Sequence, residues 1–221
     1  MKQDLYNRAL GASSLDEFTE CFQQGCTRCT LSNYSNKGPI VYRGNPRADI
    51  MLIAESPGLE EEKLHKPLVG PAGKLLTAIM NAIDLNDNED MFLSNSCFCR
   101  YTAPKGSGKQ NLTPKANQYI MCRPFVYKLI RLINPKIIIA CGRTALAQLT
   151  TDDTVKLGQW AGRWTYFTRQ ELVGRTPMFV MHHPAWLIHL EKKVGRQEYI
   201  KAKRQVWEYM KYFRDTYKEK L

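Results

Sequence analysis

Ala48-Asp49-Ile50-Met51-Leu52-Ile53-Ala54, followed at once by Glu55-Ser56-Pro57-Gly58, is the stretch on which the reading of this chain turns. A short apolar run bounded by turn residues is the pattern of a buried strand. The Ser-Pro-Gly that follows cannot continue it, so Glu55 falls at a strand end, where the chain reverses.

Working outward, three further runs repeat this pattern. Met91 to Leu93 begins a short strand, Lys136 to Cys141 is a third buried strand, and Met178 to Met181 a fourth. Helical periodicity separates them. Ala72 to Ile83 carries Leu75, Leu76, Ile79, Met80 and Ile83 on one face. Thr113-Pro114 predicts a helix start, with Thr as the cap, and that helix runs to about Ile133 before Asn134-Pro135 stops it. Another helix follows Gly142 through Leu149. A capping box, Ser14 with Glu17, opens a short helix before the first cysteines. From Arg196 onward a long basic helix carries Tyr199, Val206, Met210, Phe213 and Tyr217 as its apolar stripe. Thr102 to Leu112 is rich in Gly, Ser, Lys and Pro and reads as a loop.

Buried strands alternating with helices predict an α/β fold: a single domain over residues 1–221, with a central, mostly parallel four-stranded sheet flanked by helices on both faces. Residues 1–24 form an N-terminal helical segment and 196–221 a basic C-terminal helix. Sites in such folds lie at the carboxyl ends of the strands. Glu55 to Gly58, Asn95 to Cys99 and His182 to Leu187 all fall there, so three segments far apart in sequence are expected to converge.

Composition bounds the function. With 221 residues, 43% of them hydrophobic, the chain can bury one substantial core. No apolar run approaches the length of a membrane span, and the opening residues MKQDLYNRAL lack a signal-peptide core, so a cytoplasmic protein is expected. The formal charge of +11 points to a polyanionic partner, nucleic acid or an anionic membrane surface. Seven cysteines, an odd number, favour metal binding over disulfides. Cys26-Thr27-Arg28-Cys29 puts two thiolates on one turn, and Cys99 and Cys122 can close the set. Spacing alone leaves zinc and an iron–sulfur cluster both open. Cys21, Cys97 and Cys141 read as ordinary buried thiols.

Taken in order, these stretches resemble the family 4, iron–sulfur uracil-DNA glycosylases over residues 20 to 190. The residues that carry the resemblance are Ala54-Glu55-Ser56-Pro57-Gly58, the acidic Glu60-Glu61-Glu62, and Pro67-Leu68-Val69-Gly70-Pro71-Ala72-Gly73-Lys74-Leu75-Leu76. They continue with Ser94-Asn95-Ser96-Cys97-Phe98-Cys99-Arg100, Cys122-Arg123-Pro124-Phe125, the segment from Pro135 to Ala145, and His183-Pro184-Ala185. The resemblance implies a monomer that acts on DNA, flips out a pyrimidine and hydrolyses its N-glycosidic bond, with a 4Fe–4S cluster on Cys26, Cys29, Cys99 and Cys122. Zinc is the alternative metal.

That chemistry builds positive charge on the sugar and negative charge on the departing base. Glu55 is the expected anion beside the sugar and His183 the expected donor to the base O2. Asn95 can match a pyrimidine edge with its amide. Leu68 is expected to line the base pocket, and the backbone around Ser56 to contact the base. Trp186 and Leu187 are the expected wedge into the vacated stack. Lys105 and Lys109, with Lys115, are expected at the phosphates; Arg196, Lys201, Lys203 and Arg204 read either as further phosphate contacts or as a solvated basic helix face.

Two features depart from the family. Leu68 stands where an aromatic ring normally stacks on uracil, a loss of about 1–3 kcal/mol of stacking. The loop between Cys99 and Cys122 is longer. Both keep open a glycosylase for a bulkier pyrimidine, hydroxymethylated or glucosylated, as in antiviral defence. The alternative from another class is a non-catalytic iron–sulfur or zinc module that binds nucleic acid.

Overall fold

The computed structural model describes residues 2–23, 25–33, 38–102, 111–168 and 175–221. Its strands are β1 (Tyr42–Gly44), β2 (Ile50–Ala54), β3 (Met91–Asn95), β4 (Ile137–Cys141), β5 (Trp164–Thr168) and β6 (Arg175–Met181). Its helices are α1 (Lys2–Gly11), α2 (Leu15–Gln23), α3 (Leu59–Leu64), α4 (Pro71–Asn81), α5 (Ala116–Ile133), α6 (Arg143–Thr150), α7 (Leu157–Trp160), α8 (Pro184–Glu191) and α9 (Arg196–Thr216). They build one α/β unit.

The sheet order is β1-β3-β2-β4-β6-β5. The four expected strands form its parallel centre. The sheet nevertheless has six strands among the described residues, because β1 and β5 add antiparallel edges. Both escape a search for buried runs. β1 is three residues long, and β5 is an edge with Tyr166 45% exposed while Phe167 is buried.

Alternation along β2 sorts the core. Met51 and Ile53 face α1, α2, α5 and α6 in one apolar cluster. Ile50, Leu52 and Ala54 face α4, α8 and α9 in the other. With both faces covered, every residue of β2, β3 and β4 is buried. That explains why these strands read as continuous apolar runs.

The helix expected from Thr113-Pro114 starts at Ala116. Lys115 is its cap residue, and its N–H donates to the Gln118 side chain at 2.8 Å. Thr113 is used elsewhere, as a hydrogen-bond partner of Glu55. The expected end is correct: Asn134 closes α5 in a left-handed conformation. The Ser14–Glu17 cap also forms, with the Glu17 N–H donating to Ser14 Oγ at 3.1 Å.

One close approach shapes the ground beneath the candidate site. α4 packs so tightly under the preceding turn that a Cβ on Gly73 would run into the Leu68 carbonyl. Gly73→Ala is therefore expected to destabilise the fold by about 1–3 kcal/mol, the usual cost of overpacking. Urea unfolding measures it, and an unchanged midpoint would contradict this packing.

Candidate active site

Glu55 leaves the carboxyl end of β2 half-buried. Its Oε2 accepts a hydrogen bond from Thr144 Oγ1 at 2.9 Å, and Thr113 is a second partner. Burial raises its pKa above the ordinary carboxylate range, while the two hydroxyls and the Arg143 charge pull it back. The carboxylate is thus partly desolvated yet supplied with donors that favour its ionised form.

Across the site His183 caps α8 at the carboxyl end of β6. Its Nδ1 accepts the Ala185 N–H at 3.2 Å, which leaves the proton of the neutral ring on Nε2. Burial, with a smaller contribution from His189, pushes its pKa down from 6.5 to about 4. The ring is therefore a neutral N–H donor at physiological pH. Gly142, at φ 95°, lets the end of β4 pass close to it. A Cβ there would lie 3.0 Å from His183 Cβ.

Glu55, Ser56, Leu68 and His183 line one cleft of about 480 Å³. Two of the three strand ends expected to converge, those of β2 and β6, meet on this cleft, and its volume falls within the range of about 300–1,000 Å³ usual for small-molecule sites. Asn111, Thr113 and Lys192 complete parts of the wall. Asn95 is not on that wall. It pairs in register with Ala54 at the end of β3 and is 1% exposed, and neither its amide nitrogen nor its oxygen has a hydrogen-bond partner. A buried polar group left unpaired costs about 1–3 kcal/mol. Such a residue is one that a ligand can satisfy.

The cleft wall is held by residues the motif reading did not single out. Glu61 is buried, and its carboxylate accepts three backbone N–H groups: Gly58 at 3.0 Å, Val69 at 3.0 Å and Gly70 at 2.7 Å. Arg43 holds the same turn from the other side. Its Nε donates to the Pro67 carbonyl at 2.9 Å and its Nη2 to the Leu68 carbonyl at 3.1 Å, while Asp87 pairs with it at 2.7 Å. Between these anchors Leu68 adopts φ 56°, a left-handed conformation costly for leucine and sustained only where its surroundings fix it. Only the run Glu60-Glu61-Glu62 hinted at this, because two of its three carboxylates are buried. The second, Glu62, pairs with buried Arg100 at 2.9 Å, and Arg100 Nε donates to Asn111 at 2.8 Å.

On the expected DNA face the structure divides the candidates. Trp186 is half-buried and stacks on His182, ring centres 4.3 Å apart. Leu187 is buried in the core against the sheet, so the wedge expected there is corrected: its side chain serves packing. A helix start at Pro184 turns position 187 inward and leaves 186 toward the surface. Lys105 and Lys109 lie outside the described residues.

Cys26, Cys29, Cys99 and Cys122 line a second, small cavity with Phe98 and Phe125. Cys122 is held below the ordinary thiol range by hydrogen bonds from Cys97 and the Phe98 backbone, with Arg28 helping electrostatically. Cys97, read from the sequence as an ordinary buried thiol, is buried but adjoins this group, because the chain turns at the end of β3. Among the described residues, no three His, Cys, Asp or Glu side chains stand close enough to ligate a single metal ion.

The model of the uracil DNA glycosylase superfamily matches residues 41–212. A type-4 uracil-DNA glycosylase from Saccharolobus solfataricus is 32% identical over 186 residues, covering 80% of each chain. Those of Thermotoga maritima and Pyrobaculum aerophilum are each 29% identical. The first covers 74% of this chain and 78% of its own, the second 80% and 86%. The family match and these relatives define the class, a DNA glycosylase. The chain belongs to the uracil DNA glycosylase superfamily.

The depressed pKa of His183 carries a stability consequence. The unfolded chain takes up this proton near pH 6.5, whereas the folded ring resists it until about pH 4. Stability from this group is thus present above 6.5 and lost as pH falls toward 4. Nitrogen-15 NMR of the ring should find a neutral Nε2–H tautomer at pH 7. A His183 midpoint at or above the ordinary histidine value would contradict this environment.

Proposed function

We propose that this DNA glycosylase releases uracil from DNA, working as a monomer in the cytoplasm, and leaves an abasic site. The observation that carries the reading is the presence of Glu55 and His183 on one cleft, a half-buried carboxylate with a neutral imidazole donor. The target nucleotide must leave the stack before its glycosidic bond can be reached. As the C1′–N1 bond breaks, its electron pair leaves with the base, and water adds to C1′. Glu55 orients that water and offsets the positive charge on the sugar, with Thr144 holding its Oε2. His183 donates Nε2–H to the base O2, where the negative charge gathers. Asn95 offers its two unpaired groups to the remaining pyrimidine edge, and Ser56 and Leu68 bound the base. The proton lost by the water ends on the base through solvent.

The thiols fit a 4Fe–4S cluster held by Cys26, Cys29, Cys99 and Cys122. Two things support it: an all-sulfur donor set around one cavity, and N–H and S–H donors that stabilise the Cys122 thiolate. The cluster would supply a structural tie between the 26–29 turn, the end of β3 and α5. Visible absorbance lost on iron removal, together with loss of folding cooperativity, is the expected result. A colourless protein with bound zinc would contradict it.

One observation favours a second substrate. Leu68 presents an aliphatic side chain to a roomy cleft, which suits a pyrimidine carrying a substituent. The test is release of free base from oligonucleotides containing uracil, hydroxymethylated or glucosylated pyrimidines. Uracil release is expected. Release of only the modified bases would move the assignment to them, and release of none would end the glycosylase reading.

In single-turnover assays Glu55→Gln should slow release by about 10²–10⁴-fold, the range for a positioned acid or base. His183→Ala should slow it by about 10²–10³-fold, as for loss of a donor to a developing anion. The wild-type acid limb should lie above the ordinary glutamate range, because Glu55 must be ionised and burial raises its pKa. A profile flat through that region would contradict the role of Glu55.

A further inference from the structure

The cleft and the thiol group leave one charged surface unused. Between residues 189 and 204 the sequence holds six Lys or Arg (192, 193, 196, 201, 203 and 204) against two Glu. The segment begins at the cleft itself, since His189 and Lys192 line its wall. It then runs along α9.

Packing fixes where that helix goes. Trp164 Nε1 donates to Thr216 at 2.9 Å, Phe213 packs on Phe179 at 5.0 Å, and the Tyr209 hydroxyl accepts the His182 N–H at 3.3 Å. His182 follows the carboxyl end of β6, so α9 runs antiparallel to that strand. The residues before Tyr209 project past the edge of the sheet on the side of the cleft.

The outer face of this projection has a regular composition. Arg196, Ile200, Lys203, Trp207 and Lys211 follow one another at intervals of three and four residues, one stripe of a helix. Ile200 is 39% and Trp207 41% exposed, large apolar groups in water between cations. Lys211 lies 5.9 Å from the Trp207 ring centre. Arg204 and Lys201 are exposed beside the stripe. A purely solvating face needs no exposed Trp. Cations interleaved with an exposed ring are what a nucleic-acid strand needs, the cations for its phosphates and the ring for an unstacked base. From Arg196 to Lys211 the stripe spans about 22 Å at 1.5 Å per residue.

We infer that the outer face of α9 is a second DNA-binding surface, on which Arg196, Lys203 and Arg204 meet the phosphates of the strand leaving the cleft and Trp207 stacks on one of its unpaired bases. The inference rests on the glycosylase reading for the identity of the polyanion. Its continuity with the Lys192 wall argues for the substrate strand over a separate acidic protein.

The experiment is fluorescence anisotropy of the full-length protein on a uracil-free single-stranded oligonucleotide, titrated with salt. Each phosphate contact contributes about 0.7 to the slope of log K against log salt on single strands. Lys203→Ala/Arg204→Ala should therefore flatten the slope by about 1.4. Lys136→Ala/Lys218→Ala removes the same charge at the opposite end of the sheet and should leave the slope unchanged. Trp207→Ala should weaken binding about tenfold, within the usual worth of a stacked base, without altering the slope. Equal flattening by both double variants would mean that only net charge matters and would overturn the inference. So would an unchanged slope in the first double variant, or full affinity in Trp207→Ala. Base release is not part of the assay, so failure of uracil excision leaves this result standing.

Discussion

A single buried carboxylate joins the two loops from which the cleft is made. Glu61 accepts N–H groups from Gly58, in the turn that carries Glu55, and from Val69 and Gly70, in the turn that carries Leu68. Neither loop has a strand partner to satisfy those donors. A buried N–H without an acceptor is costly, so each loop is stable only in the arrangement that reaches the same carboxylate. Arg43 fixes the carbonyls of the second turn, and the absence of a side chain at Gly73 lets α4 close beneath it. Leu68 is held in a left-handed conformation as the result. The shape of the base pocket thus follows from hydrogen bonds to main chain that touch no substrate.

Electrostatics then separates the two reacting groups. Both are desolvated, and desolvation favours the neutral form of each. For His183 nothing opposes it, and the ring stays an uncharged donor. For Glu55 the Thr144 and Thr113 hydroxyls and the Arg143 charge work against burial. One environment therefore yields a neutral donor on one wall and an ionisable carboxylate on the other. Glycosidic cleavage calls for that division, because opposite charges develop on the sugar and the base.

Much of this was legible in the sequence. The four parallel strands announce themselves because burial on both faces demands unbroken apolar runs, and their carboxyl ends locate Glu55, Asn95 and His183. The edge strands β1 and β5 were not legible, because a strand covered on one side lacks that signature. Leu187 was misread because four residues after His183 the helix has turned inward. Arg43 and Thr144 act on partners far away in sequence, and no local spacing marks them, whereas Glu61 reaches only nearby donors and is marked by nothing but its place in the acidic run. Cys97 looked like a core thiol because alternation fails once β3 turns, and only the fold brings it against Cys122.

The central claim is that one extruded base sits between Glu55 and His183 and completes the unpaired amide of Asn95. It is tested most directly by a crystal structure of Glu55→Gln bound to DNA carrying a uracil nucleotide with a 2′-fluoro substituent that resists cleavage. The account predicts the base in the cleft, with both polar atoms of Asn95 on its edge and His183 Nε2 within hydrogen-bond distance of O2. A base seated in the cleft with the Asn95 amide still unpaired, or DNA bound with no base in the cleft, would contradict it.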